Sequence, residues 1–132
     1  FHPNALLGKS LRLESVPNAS EQAKAAAASL CGIKKAYSEL PWFWSDQFDV
    51  KLQIAGISQG YTEAVVRGDA GESRSFTVFY IKDQHIIAAD CINRPKDFMV
   101  AKKLILQQSK INVAALVDES SDVKKLLING EQ

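Results

Sequence analysis

The feature that most restricts the fold is a pair of apolar runs, Phe76–Ile81 and His85–Cys91, parted only by Lys82-Asp83-Gln84. β-Branched and aromatic residues fill much of both runs, and so short a polar break can only reverse the chain. Strands joined this tightly are antiparallel, because a parallel pair needs a crossover of a dozen residues or more. A lone hairpin is marginal in water, so further strands must flank it. Val50, Leu52 and Ile54 alternate with Lys51, Gln53 and Ala55. That period predicts a half-buried strand from Phe48 onward, with the larger apolar set inward. Gly56 and Gly60 bracket a turn, Ala64–Arg67 reads as a short strand and residues 68–73 as a loop.

Helices follow the strands. Pro95 suits a first helical position, and Phe98, Ala101 and Ile105, with Leu104 beside them, form one apolar face. Asn112–Val117 is ambiguous, and a last helix is expected after Ser120 or Ser121 with Val123, Leu126 and Leu127 inward. Antiparallel strands followed by helices make an α+β, two-layer domain with the helices on one face of the sheet. The opening of the chain is different. Residues 1–17 are irregular, broken by Pro3, Gly8 and Pro17, with one extended candidate over Leu11–Ser15. A helix is then expected, with Asn18 as N-cap, Glu21 three residues on as in a capping box, and Gly32 as its stop. Its apolar face, Ala23, Ala26, Ala27 and Leu30, is small-sided and suits close approach to a neighbouring backbone. A polar connector over 33–40 leads to Pro41, which divides the chain into 1–40 and 41–132.

Composition narrows the function. The 132 residues are 46% hydrophobic and 23% charged with a net charge of +1, so the chain can bury a real core. That balance excludes a strongly basic nucleic-acid binder, and no apolar run is long enough to cross a membrane. No secretory leader is visible in FHPNALLGKS, and the absence of an initial Met hints at a longer parent. Cys31 and Cys91 form no CxxC pair, which favours two reduced, packed thiols and a cytoplasmic chain. With His2 and His85 as the only histidines, no metal site is expected. The seven glycines make neither GxGxxG nor a P-loop, and there is no GxSxG or HExxH. Arg67-Gly68-Asp69 and the sequon at Asn18-Ala19-Ser20 are read as chance, and Asp46 with Asp49 as too weak a pair for acid–base work.

The unusual string is PWFWSDQ, residues 41–47, which holds both tryptophans of the chain. It fits an aromatic plug between two segments. A stacking surface for a planar ligand with a polar rim is the alternative, and composition favours the plug. Phe43, between the two tryptophans, is expected in the core.

PWFWSDQFDVKLQIAG resembles the C-terminal domain of the FAD-dependent ferredoxin reductases, the putidaredoxin and rubredoxin reductase type. The similarity continues in NALLGKSLRLESVPNASEQAKAAAASLCG, VVRGD, FTVFYIKDQHIIAADCINRP and DFMVAKKLI, and so spans nearly the whole chain. It implies that residues 1–40 are the end of a FAD-binding domain and 41–132 the reductase C-terminal, or interface, domain. The resemblance implies FAD and NAD(P)H as cofactors of the parent, neither bound tightly by this portion, which alone is expected to be inactive. It assigns Val16, Pro17 and Asn18 to a helix start near the pyrimidine side of the flavin, where free N–H groups and the dipole favour negative charge. Trp44 matches the aromatic beside the flavin and the nicotinamide path, and Trp42 the carrier side. Lys24 matches a basic position for docking a ferredoxin or rubredoxin-type partner, and its plain alternative is a solvated surface lysine. Residues 1–35 carry five basic against two acidic side chains, and 94–110 five against one, so local positive surface exists despite the near-neutral total. Two other expectations stand beside this one: a free-standing protein-binding module built on 41–47, and a domain that self-associates through its alanine face.

Overall fold

The structure, a computed structural model, describes residues Phe1–Leu127. Contacts gather the chain into two compact units, Phe1–Phe43 and the residues from Trp44 onward.

In the first unit, β1 (His2–Asn4) and β2 (Lys9–Leu11) pair antiparallel, with His2 opposite Leu11 and Asn4 opposite Lys9. The extended segment expected over Leu11–Ser15 thus lies earlier, because it needs β1 as its partner. Asn4 is buried, accepts from the Leu7 N–H at 3.1 Å and donates to the Glu39 carbonyl at 3.2 Å, tying the 33–40 connector to this hairpin. α1 runs from Val16 to Leu30. Gly32 stops it as expected: at φ +82° its N–H reaches the Ser29 carbonyl (3.0 Å), and the Ile33 N–H reaches that of Ala28 (2.9 Å). The expected small-sided face turns outward, with no cover among the described residues. Ala23, Ala26, Ala27 and Leu30 are exposed, Leu30 to 90%, while Asn18, Gln22, Ala25 and Ala28 turn inward. Hydrogen bonds made by Asn18 and Gln22 fix that rotation, and methyl groups are too small to oppose it.

In the second unit, β3 (Trp42–Gln47), whose first two residues are counted with the first unit, β4 (Val50–Gly56), β5 (Glu63–Gly68), β6 (Phe76–Lys82) and β7 (His85–Ile92) form one sheet in the order β3-β4-β7-β6-β5. The β4–β7, β7–β6 and β6–β5 pairs are antiparallel. The central hairpin forms where the sequence predicts it, with a tighter turn. Lys82 pairs with His85, and Asp83 and Gln84 alone make the reversal, both at positive φ (50° and 65°). Ala55, Thr77, Phe79, Ala89 and Cys91 share one fully buried face. The expected orientation of β4 is therefore reversed: Ala55 is buried, and Leu52 and Ile54 stand half-exposed on the other face. Pairing places Ala55 beside Ala89, two small residues beneath a helix, and that closeness outweighs the larger residues' preference for the interior. Gly56 (φ +75°) passes so close to the Ile87 carbonyl that no side chain could stand there.

α2 (Pro95–Gln107) crosses β7 and β4 and buries Phe98, Val100, Ala101, Leu104 and Ile105. The ambiguous segment is a short helix, α3 (Val113–Val117), capped by the Asn112 side chain, which accepts from the N–H groups of Ala114 and Ala115. The last expected helix is a 3-10 turn over Val123–Leu127, with Val123 and Leu126 buried; the Leu127 side chain lies outside the described residues. Arg67 of β5 is buried and donates to the carbonyls of Leu116 (3.0 Å), Asp118 (2.7 Å) and Ser121 (2.7 Å). Buried Asp97 lies 3.8 Å from its Nε and 3.9 Å from Arg94, and accepts from the Thr77 hydroxyl at 3.0 Å. Arg67 thereby clamps the chain after α3 onto the sheet edge. No helix among the described residues is long and apolar enough to cross a membrane.

Candidate functional site

The start of α1 is built on Ser15, not Asn18. Ser15 is extended (φ −137°, ψ 152°), and its hydroxyl accepts from the Asn18 N–H at 3.3 Å. Pro17, buried, fits the first turn because it needs no donor there. Asn18 is freed from capping and becomes a hub instead. Its Nδ2 donates to the Leu13 carbonyl at 2.7 Å, and its Oδ1 accepts from Gln22 Nε2 at 3.1 Å and from the Tyr37 hydroxyl at 2.8 Å. Gln22 Nε2 also lies 3.0 Å from His2 Nδ1, and the His2 ring meets Tyr37 edge-on at 5.0 Å. Burial, with Glu39 and Glu21 nearby, holds the Tyr37 hydroxyl above its ordinary range, so it stays a neutral donor. Val16 is 67% exposed at the open end of the helix, and its N–H has no partner among the described residues.

Glu21 does not complete a capping box; it pairs with Lys24 at 2.6 Å on the exposed flank of the helix. Lys24 is thus a surface residue whose charge is partly met by its own helix.

The aromatic string forms β3, an edge strand that sequence reasoning left without secondary structure. Trp42 is half-buried, and Trp44 is 37% exposed. Phe43 is 41% exposed, contrary to expectation, because an edge strand offers it no covering layer. At the tip, Phe48 is wholly exposed at φ +55°, in the two-residue turn into β4. Arg74 holds that turn through one nitrogen, Nη1, which donates to both carboxylate oxygens of Asp49 (2.9 and 2.8 Å). Val16, Pro17, Asn18, Lys24 and Trp42 belong to the first unit and Trp44 to the second.

A groove of about 500 Å³ lies between α2 and the 3-10 turn, with Pro95, Met99 and Val100 as an apolar floor and Lys96, Lys103 and Lys124 around it. None of these lysines pairs with a carboxylate among the described residues. The charge count over 94–110 pointed to Lys96 and Lys103. Lys124 was missed, because only the fold brings it beside α2. Asp97, the one acidic residue of that segment, is buried among arginines and subtracts nothing from the surface.

The two thiols sit in opposite surroundings. Cys91 is buried, and burial pushes it up to about 12, whereas Cys31 is exposed rather than packed as expected. No group of three or more His, Cys, Asp or Glu is gathered for a metal among the described residues.

Comparison with known proteins identifies this architecture. Residues 42–127 match the family model described as reductase C-terminal. The chain is 39% identical over 127 residues to putidaredoxin reductase of Pseudomonas putida, covering 96% of this chain and 30% of that protein. It is 39% identical over 119 residues to the ferredoxin reductase subunit of 5,5'-dehydrodivanillate O-demethylase from Sphingobium sp., covering 90% and 29%. The solved covalent putidaredoxin reductase–putidaredoxin complex superposes with a TM-score of 0.90 at 38% identity, over 99% of this chain and 31% of that one. The chain thus spans about a third of the length of such relatives. It belongs to the family described as reductase C-terminal, which its residues 42–127 match.

Proposed function

We propose that this chain is the C-terminal portion of an NAD(P)H-dependent, FAD-containing reductase that delivers electrons to an iron–sulfur carrier of the ferredoxin or rubredoxin type, and that it works in the cytoplasm. The observation that carries the reading is the agreement in sequence and fold over 96–99% of the chain with reductases of this type. Bound flavin would supply the conversion of a two-electron hydride donor into single electrons for the carrier. The residues of this chain fit such a group. Val16 and Asn18 stand at a helix start whose outermost N–H is open, and the partial positive charge there favours an electron-rich ring edge. Trp44 offers an accessible indole for stacking and for excluding water, and Trp42 is assigned to the carrier side of the strand.

Carriers of this class are acidic, and the groove lined by Lys96, Lys103 and Lys124 meets that chemistry with an apolar floor and unopposed charge. Lys24 adds a weaker cation because Glu21 shares it. Such lysines act on encounter rate and salt dependence more than on affinity.

Two measurements test the reading. The chain mixed with FAD and NADH should reduce a carrier no faster than free flavin does, and turnover above that blank would overturn the proposed division of labour. In the full-length protein, Lys103→Glu with Lys124→Glu should slow carrier reduction about tenfold at low salt and much less at high salt, leaving reduction of a small dye unchanged. Equal losses at both ionic strengths would remove the groove from carrier docking.

A further inference from the structure

We infer that His2 and Gln22 are positioning residues for Asn18, and that protonation of His2 releases the Asn18 amide from its fixed orientation. The inference rests on hydrogen-bond polarity alone. Asn18 Nδ2 is committed to the Leu13 carbonyl, so Oδ1 must face Gln22 and Tyr37 as an acceptor. Gln22 must then present its NH2 group to that oxygen. The same Nε2 lies 3.0 Å from His2 Nδ1, which must therefore accept, leaving the ring proton on Nε2. That Nε2 is buried and has no hydrogen-bond partner among the described residues. The neutral tautomer is thus dictated by Gln22, at the cost of an unmet donor on the far side of the ring.

A second proton can only arrive on Nδ1, where it points at the NH2 group of Gln22. Donor then faces donor. The contact is rescued only if the Gln22 amide turns to present Oε1, and that turn sets oxygen against Asn18 Oδ1. Protonated His2 and a Gln22–Asn18 hydrogen bond exclude each other, so a proton on β1 is felt at the first turn of α1. The charged residues on the surrounding elements are Lys9, Arg12 and Glu14 on and after β2, Glu21 and Lys24 on α1, and Lys34, Lys35 and Glu39 on the connector. Glu21 is engaged by Lys24, and Glu39 and Glu21 both act on Tyr37, whose hydroxyl shares the Asn18 oxygen with Gln22. The consequence for a flavin beside residues 16–18 rests on the function proposed above. The relay itself does not.

The test follows ring and amide nitrogens of this chain by NMR across pH 5 to 8, the range in which histidine changes charge. Above its midpoint His2 should carry its proton on Nε2, and the side-chain amides of Gln22 and Asn18 should shift with the His2 midpoint on acidification. Gln22→Met should abolish the shift at Asn18 while His2 still titrates. Gln22→Glu should raise the His2 midpoint, because a carboxylate accepts from the Nδ1–H of the charged ring. An Asn18 amide indifferent to His2, or one that follows it equally in Gln22→Met, would overturn the relay, as would the Nδ1–H tautomer. In the full-length protein the flavin midpoint potential is then read at both pH limits in the parent and in Gln22→Met. An intact relay with no difference in flavin response between them counts against the flavin assignment of residues 16–18 and leaves the relay standing.

Discussion

At the scale of single residues, two thiols of one chain have opposite chemistry, and the reason is burial. Cys91 lies on the fully buried sheet face, and desolvation drives its pKa to about 12, with carboxylates of Asp97 and Asp90 adding to the shift and a Thr77 hydrogen bond opposing it. Cys31 caps the exposed end of α1. A thiol reagent at pH 8 should therefore label one cysteine per folded chain quickly, and Cys31→Ser should remove that reaction entirely. Tyr80 is raised in the same way to about 12, by burial first and then by its 2.8 Å hydrogen bond to Asp90. Both groups hold their protons more tightly folded than unfolded. The stability they add is complete below the unfolded thiol range near 9 and is lost as pH climbs toward 12. The midpoint of urea unfolding should fall steadily between pH 9 and 12, and Tyr80→Phe should make that fall shallower.

At the scale of elements, what the sequence discloses depends on whether a signal is local. The β6–β7 hairpin, the Gly32 stop and the inner face of α2 were legible because a few neighbouring residues decide them. The facing of β4 and the rotation of α1 were not. Each is set by a partner distant in sequence: Ala89 opposite Ala55, and His2 and Tyr37 around Gln22 and Asn18. The candidate site divides the same way. Val16–Asn18 and Trp44 were nominated by a resemblance carried by local strings, whereas only folding brings Tyr37 and Gln22 to Asn18 and Lys124 to α2. Ser15 was passed over as N-cap because Asn18 is an equally good capping residue by type. Pro17 decides between them, since it sits naturally inside the first turn. Ser15→Ala should cost about 1 kcal/mol of the first unit's stability, read as reduced α1 helicity or an earlier thermal transition. The β3–β4 turn should respond in the opposite sense. Phe48 contributes no burial and occupies a left-handed backbone position, so Phe48→Gly should stabilise the second unit by up to about 1 kcal/mol in urea unfolding.

At the scale of the whole molecule, the outward alanine face of α1 bears on self-association. Ala23, Ala26, Ala27 and Leu30 are exposed together with Ile33, and small side chains let a second surface approach closely. Light scattering over a hundredfold range of concentration should register a rising mass, and Leu30→Lys should suppress it. A constant monomer mass in both proteins removes this face from any role in assembly.

The Arg67 clamp has a consequence for how the family can vary. Its guanidinium donates to three main-chain oxygens between Leu116 and Ser121 and hydrogen-bonds no side chain of that stretch. Residues there can drift in identity from one organism to another while their path over the sheet stays the same. Substitutions should accumulate freely at position 117 and hardly at all at 67, so the most faithfully kept part of this segment is a residue fifty positions upstream of it.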